Sequence, residues 1–363
     1  MVLKRLNLNE FRRRVVAGSF PEFSSLADAV CGLQFIQADP IRAPARAQDL
    51  ILRQRVASYM AGELEERFPK LDAEEGYLFA YGFATPDVWR ALRHRPRAKL
   101  KKLERDVLDA VDELGEVHPR DLGERFGRES VQNYWGGKSQ KTKRVLEDLH
   151  HHGYLRVSRR EKGIRIYQVP SEQREPTASP KERYAHLLNT TVRVFGPVTA
   201  AFLVSELRSQ NHLVKSRRER LAVVESLVQD GTLSEVRVGQ ETYLWEPNQW
   251  ESGEVPDRVR ILAPFDPLVR DRNRFSHLWN WDYRFEAYVP ASKRQRGYYA
   301  MPVLFRDQVI GWANATVCDE CLQVKIGYVK QPPRAKRFRQ QLEAEIESMA
   351  LFLGLKSGNW TIA

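Results

Sequence analysis

No run of about eighteen apolar residues occurs in the 363-residue chain, so no segment is built to cross a bilayer as a helix. The opening stretch MVLKRLNLNE has neither the apolar core nor the small-residue cleavage site of a secretory signal, which points to the cytoplasm. Cysteine is scarce. Three residues, one left over after any pairing, cannot make a disulfide framework and suit a reducing compartment. Two of them form Cys318-x-x-Cys321, but no second matched pair completes a zinc set. The adjacent His150, His151 and His152 read as a surface patch rather than as ligands. Walker loops, the dinucleotide-binding glycine fingerprint and the zincin motif are missing too. Neither a metal nor an organic cofactor is expected.

What the chain does have is positive charge. Lys and Arg number 58 against 47 Asp and Glu, a net charge of +11. Such an excess favours polyanionic partners, because each neutralised phosphate releases counterions. Hydrophobic residues make up 42%, enough to fill a core and to exclude wholesale disorder. The length calls for roughly two to four packed units.

A repeated unit supplies the organisation. From Lys99, apolar residues at helical spacing (Leu103, Val107, Leu108, Val111, Leu114) predict a helix. A break at residues 115–119 and a short helix over 120–126 follow. After the loop NYWGGK a third helix spans about 139–152. Gly153 sits where a helix-terminating residue belongs, and YLRV, a basic turn SRREKG and IRIYQV make a hairpin. Helix, helix, helix, hairpin is the winged-helix order. It returns about eighty residues later, with helices near 183–195, 199–209 and 216–229, Gly231 in the place of Gly153, and a second hairpin ending in ETYLW. Leu221, Val224 and Val228 of that copy are expected in the core.

In the first copy Val145, Leu146 and Leu149 share one arc of the third helix, and Lys143, Arg144, His150 and His151 lie opposite. Such a helix packs its apolar stripe and shows cations to a groove. Lys138, Lys141, Lys143 and Arg144, with Arg159 and Arg160 in the hairpin's basic turn, are therefore the expected DNA contacts. The basic stretch HRPRAKLKK at 94–102 is a further candidate for phosphates, or a solvated linker.

Outside the repeats, residues 1–95 are less regular. Helices are expected over 9–17 and 24–30, with more helical material over 49–79, and the whole reads as a diverged third winged helix. Past a linker at 246–256 the texture becomes strand-like at 259–262, 285–289, 298–304, 309–317 and 322–328. A closing helix follows with Phe338, Leu342, Ile346, Met349 and Leu353 on one face. The fold class expected is α+β: tandem winged helices over 1–95, 96–170 and 181–247, then an α+β sheet domain over 257–363. Trp279, Trp281, Tyr298 and Tyr299 read as core or interface aromatics.

The candidate chemical site lies in LQFIQADPI. Asp39 precedes Pro40 and is biased toward extended backbone, where alternate residues share a face. Gln37 and Asp39 then project together, and a carboxylate beside an amide can orient a water and counter positive charge.

These phrases carry a resemblance. FIQADPIRAPARAQDL is similar to the active-site motif of the AlkZ/AlkX (YcaQ-like) winged-helix DNA glycosylases, with Gln37 and Asp39 at its matching positions. NYWGGKSQKTKRVLEDLHHHGYL, APFDPLVRDRNR, WDYRFEAYVPASKRQRGYYAMPVL and VIGW resemble later segments of the same family, in order along the chain. The sequence departs from that pattern at LFAYGFA (78–84), where many members carry an acid, a Trp and a His, and at Gly311-Trp312, where the family has Gly-Arg.

The resemblance implies a monofunctional glycosylase, since no lysine stands out as a Schiff-base nucleophile. It would hydrolyse the N-glycosidic bond of cationic alkylated purines of the N7-alkylguanine type in double-stranded DNA and extend to interstrand crosslinks. The enzyme would act as a nucleoid-associated cytoplasmic monomer. Two other classes stay open from the residues alone. A non-catalytic winged-helix regulator would prefer a defined sequence, and a protein-binding scaffold would show little salt-sensitive DNA affinity.

Overall fold

The computed structural model describes residues 4–92, 100–127, 130–132, 138–171, 177–249 and 254–363; for 124, 130–132, 138–139 and 248 it describes the backbone alone. The WGG loop, the core of the basic stretch at 94–102 and part of both linkers therefore lie outside the described residues. The architecture is mixed α and β.

One succession of elements occurs three times. The second occurrence is the most regular: helix Lys102–Leu114, strand Glu116–Val117, helices Pro119–Phe126 and Lys141–His151, then strands Arg156–Glu161 and Ile164–Gln168. Its sheet places the last strand between the first and the second. In the third, helix Pro180–Phe195 precedes a lone bridge from Val198 to Leu244, helices Ala200–Glu206 and Arg217–Gln229, and hairpin strands Ser234–Val238 and Glu241–Trp245. Val224 is buried there, and Leu221 and Val228 pack half-buried on the same cluster.

The first occurrence is the compressed one. Helix Leu26–Leu33 leads into strand Phe35–Gln37, two short helices Ala47–Leu52 and Glu63–Arg67, and the hairpin Glu74–Tyr77 with Tyr81–Ala84. Again the last strand lies between the other two. The helical material expected over 49–79 thus gives way, from Glu74 on, to a strand. Gly76 weakens any helix there, and pairing with Tyr81–Ala84 satisfies the backbone instead.

A strand at Lys4–Leu6 does not join this first unit. It runs parallel to Ser234–Val238, Lys4 opposite Val236, and the following helix Leu8–Gly18 buries Phe11, Val15 and Val16 against Tyr243 and Trp245.

The C-terminal sheet has five strands in sequence order: Val259–Ile261, Met301–Phe305, Gln308–Cys318, Cys321–Tyr328 and Trp360–Ile362. Helix Lys336–Phe352 covers it with Phe338, Leu342, Ile346 and Met349. The strand expected over 285–289 is absent: Glu286, buried, accepts hydrogen bonds from the backbone N–H groups of Gln295, Arg296 and Gly297 (2.9, 2.8 and 3.3 Å), which folds 282–299 into a closed loop. Cys318 and Cys321 face each other across a hairpin turn.

Two buried ion pairs lock the first unit onto the elements that flank this sheet. Arg55 forks onto Asp266 at 2.8 and 3.2 Å with both side chains sealed from water, and Arg53 reaches Glu345 at 2.8 Å. One apolar cluster runs through both and into the second unit, taking in Ile36, Leu50, Leu146, Leu149, Met301 and Ile346.

Candidate active site

The strand Phe35–Gln37 starts sharply because Gln34, at φ 59, ends the preceding helix in the left-handed region. Gln37 then pairs with Gly82. A side chain at Gly82 would meet the Ile36 carbonyl oxygen at 2.4 Å and the Phe35 ring at 2.5 Å, so only glycine lets the two strands close here. The ladder continues one residue further, Ala38 donating its N–H to the Tyr81 carbonyl at 2.8 Å.

Asp39 comes next and is held by its own main chain. Its N–H donates to Gln48 Oε1 at 3.3 Å, and its Oδ1 accepts the Ile41 N–H at 2.9 Å in the local turn favoured by Asp before Pro. The side chain is half-buried, and burial pushes its carboxyl above the ordinary value, against the pull of the Ile41 N–H.

Across from it stands the loop that Glu286 organises. Tyr299 is buried against Phe285, with ring centroids 5.3 Å apart, and burial together with the Asp39 charge drives its phenol well up. Tyr288 feels the same charge but is 74% exposed. Two buried oxygens here, Gln37 Oε1 and Tyr299 Oη, have no hydrogen-bond partner among the described residues. Orphans of this kind in a native fold call for a water, an ion or a substrate. Tyr299, read from sequence as a core aromatic, is buried as expected. Its electrostatic coupling to Asp39 could not be foreseen, because it depends on a loop folded by Glu286.

The cations expected on DNA divide into three groups. Lys141, Lys143 and Arg144 are exposed at the start of helix Lys141–His151. Lys138 lies in strand Lys138–Gln140, with its side chain outside the described atoms. Arg159 is half-exposed between Glu116 and Glu161, whereas Arg160, 12% exposed, turns inward. Arg160 grips the fully buried Glu75 with Nε at 2.7 Å and Nη2 at 2.6 Å, while Arg165 approaches at 3.5 Å and the Tyr81 hydroxyl donates to the same carboxylate. Burial alone would raise the Glu75 carboxyl, but the two arginines outweigh it and hold it below the usual value.

His150 is a correction. It does not join a cationic helix face; it is buried with Thr142, Leu146 and Leu149, and its Nε2 donates to the Glu75 carbonyl at 2.9 Å. Burial, with the charge of Arg165, depresses its pKa to about 4, so it is neutral at physiological pH. The variant stretch 78–84 forms the adjacent turn and the strand Tyr81–Ala84, where Phe79 packs at 4.7 Å between Phe35 and Phe195 and Tyr81 lies 4.2 Å beneath the Arg165 guanidinium.

Residues 30–352 match the family described as DNA glycosylase AlkZ-like. Among solved structures, the chain is similar to Streptomyces sahachiroi DNA glycosylase AlkZ, with 15% identity, a TM-score of 0.67, and coverage of 97% of this chain and 99% of that one. At that identity the likeness shows a shared fold.

Proposed function

Because the chain belongs to the AlkZ-like DNA glycosylase family, we propose that it hydrolyses the N-glycosidic bond of cationic alkylated purines, N7-alkylguanine above all, in double-stranded DNA, and that interstrand crosslinks are among its substrates. The three repeated units are winged helices in this reading. They work as a monomer on nucleoid DNA in the cytoplasm. Lys138, Lys141, Lys143, Arg144 and Arg159 meet phosphates, and the charge of Arg160 is already taken up by Glu75.

An N7-alkylated guanine carries positive charge, so it leaves without a general acid. The electrons of the C1′–N9 bond neutralise it as the bond breaks. The enzyme must then stabilise an oxocarbenium-like sugar and aim a water at C1′. The Asp39 carboxylate does both: its charge opposes the developing cation, and it takes the proton that the water loses. Its raised pKa makes it a stronger base than an ordinary Asp. Gln37 Oε1 and Tyr299 Oη hold the water. Release needs no lysine nucleophile, and the product is an abasic site with an intact backbone.

The observation that carries this reading is a half-buried carboxylate, fixed by its backbone, two residues along the chain from Gln37 and electrostatically coupled to Tyr299, both of which have a buried oxygen with no hydrogen-bond partner among the described residues. The test is base release from methylated duplex DNA, wild type beside Asp39→Asn. Asparagine keeps the acceptor for the Ile41 N–H and should abolish release while leaving DNA affinity intact; equal release rates for both proteins would reject the mechanism. A regulator without activity would instead bind one defined sequence and release no base.

A further inference from the structure

Gln48 and Glu65 have no place in the mechanism above, yet they join Asp39 to the hairpin of the second unit. Gln48 is 1% exposed, a costly setting for an amide unless both of its ends are used. Both are. Oε1 accepts the Asp39 N–H at 3.3 Å, and Nε2 donates to Glu65 Oε1 at 3.2 Å. The same Glu65 oxygen takes the Arg46 guanidinium and lies 3.6 Å from Arg160 Nη1. Arg160 in turn is clamped on Glu75 and donates to the Gly163 carbonyl at the hairpin tip, 3.3 Å away. A polar path therefore runs from that tip to the main chain of Asp39, through side chains that are buried or nearly so.

The chemistry of the path has a direction. An amide accepting from one residue must turn its NH₂ toward the next, and that NH₂ requires an acceptor; Glu65 is that acceptor, held in place by two arginines. Without Glu65 only the Asp39 N–H, in a hydrogen bond of 3.3 Å, selects which end of Gln48 faces it. Pro40 has no N–H of its own, so the Asp39 N–H and the Asp39 to Ile41 turn are the anchors that set where the carboxylate points.

We propose that Gln48 and Glu65 are positioning residues for Asp39, and that the second unit's hairpin, through Arg160, sets their alignment. The inference rests on the assignment of Asp39 as the base. A misplacement of about 1 Å in a reacting group costs on the order of 100-fold in rate. Loosening Asp39 also lets its carboxylate reach water, which lowers its pKa toward the ordinary value.

The experiment is single-turnover base release from dimethyl-sulfate-treated duplex DNA over a range of pH, with duplex affinity and thermal midpoint measured on the same full-length proteins. Gln48→Met keeps the length and removes both hydrogen bonds. It should slow release roughly 10- to 100-fold, leave the duplex Kd within about twofold, and move the acid limb of the rate profile to lower pH. Glu65→Gln, at a partly exposed position, does the same more mildly and serves if Gln48→Met fails to fold. The exchanged pair Gln48→Glu with Glu65→Gln restores an acceptor for the Asp39 N–H and a donor between the two side chains, and should recover most of the rate. If both single variants fold and release base at the wild-type rate while Asp39→Asn is inactive, the positioning role is wrong and the site stands. Full activity of Asp39→Asn removes the site and this inference with it.

Discussion

Arg159 and Arg160 are neighbours in one hairpin, yet replacing each with alanine should have opposite consequences. Arg160 delivers two short hydrogen bonds to Glu75, whose side chain is wholly buried, and is itself only 12% exposed. Its removal leaves a buried carboxylate with Arg165 at 3.5 Å and one tyrosine hydroxyl. Breaking a buried pair on one side costs about 3–5 kcal/mol, because the remaining charge stays desolvated. Arg159 pairs with two half-exposed glutamates, which water and salt screen, so its loss should barely move stability. Urea unfolding reads the first difference and duplex binding across a salt series the second. Arg159→Ala should lower the slope of log K against log salt by about one phosphate contact, and Arg160→Ala should leave it unchanged. The Arg160→Ala penalty should shrink in a Glu75→Gln background, where no charge is stranded. The Glu75 pKa is depressed on folding. Its stabilisation is therefore complete above the unfolded carboxylate value near 4.5 and is lost as pH falls through the lower folded value. An Arg160→Ala protein as stable as wild type, with a shallower salt slope, would refute this account and return Arg160 to the DNA.

Three other outcomes follow from the same geometry. His150 is held neutral, with its pKa moved from 6.5 to about 4, so the unfolded chain binds the extra proton first; stability should fall by on the order of 3 kcal/mol between pH 6.5 and 4, and His150→Gln should flatten that decline in acid-titrated melts. Tyr299→Phe deletes a buried hydroxyl that has no hydrogen-bond partner among the described residues, so it should hold or raise the melting temperature while slowing base release; a clear loss of stability would mean that the hydroxyl serves the fold. Burial raises the Asp39 carboxyl above its ordinary value, which moves the acid limb of its rate profile up from pH 3.8 and makes the ionised side chain a cost to the fold at neutral pH. Asp39→Asn should melt higher than wild type, and a lower midpoint would contradict the burial argument.

The repeats could be read along the chain because their signals are local: Gly153 and Gly231 close helices at positive φ, and each is followed by a hairpin. The first unit hides the same succession. Its two middle helices are a turn or two long, too short for periodicity to show, and the strand Glu74–Tyr77 reads as polar chain until Arg160 and Arg165 arrive to neutralise Glu75. His150 went inward for the same reason, since a backbone carbonyl from strand Glu74–Tyr77 waits for it. Asp39 and Gln37 are candidates because of a tripeptide and the extended bias before Pro40. Gln48 carries no signal of its own in the sequence, and Tyr299 reads as a core or interface aromatic. Their partners lie on other elements, and only tertiary folding shows which buried polar atoms are matched.

The strand Lys4–Leu6 has a bearing on how the protein is made. It leaves the ribosome more than two hundred residues ahead of its hydrogen-bonding edge, Ser234–Val238. Until that edge appears, the strand and the apolar face of helix Leu8–Gly18 have no seat, and they are open to chaperones and to neighbouring chains. Once seated, the strand caps the exposed side of the third hairpin, which would otherwise offer a free template for intermolecular pairing. The join is thus a late fastening: it closes a long loop of chain in a single parallel contact and protects the finished molecule from its copies.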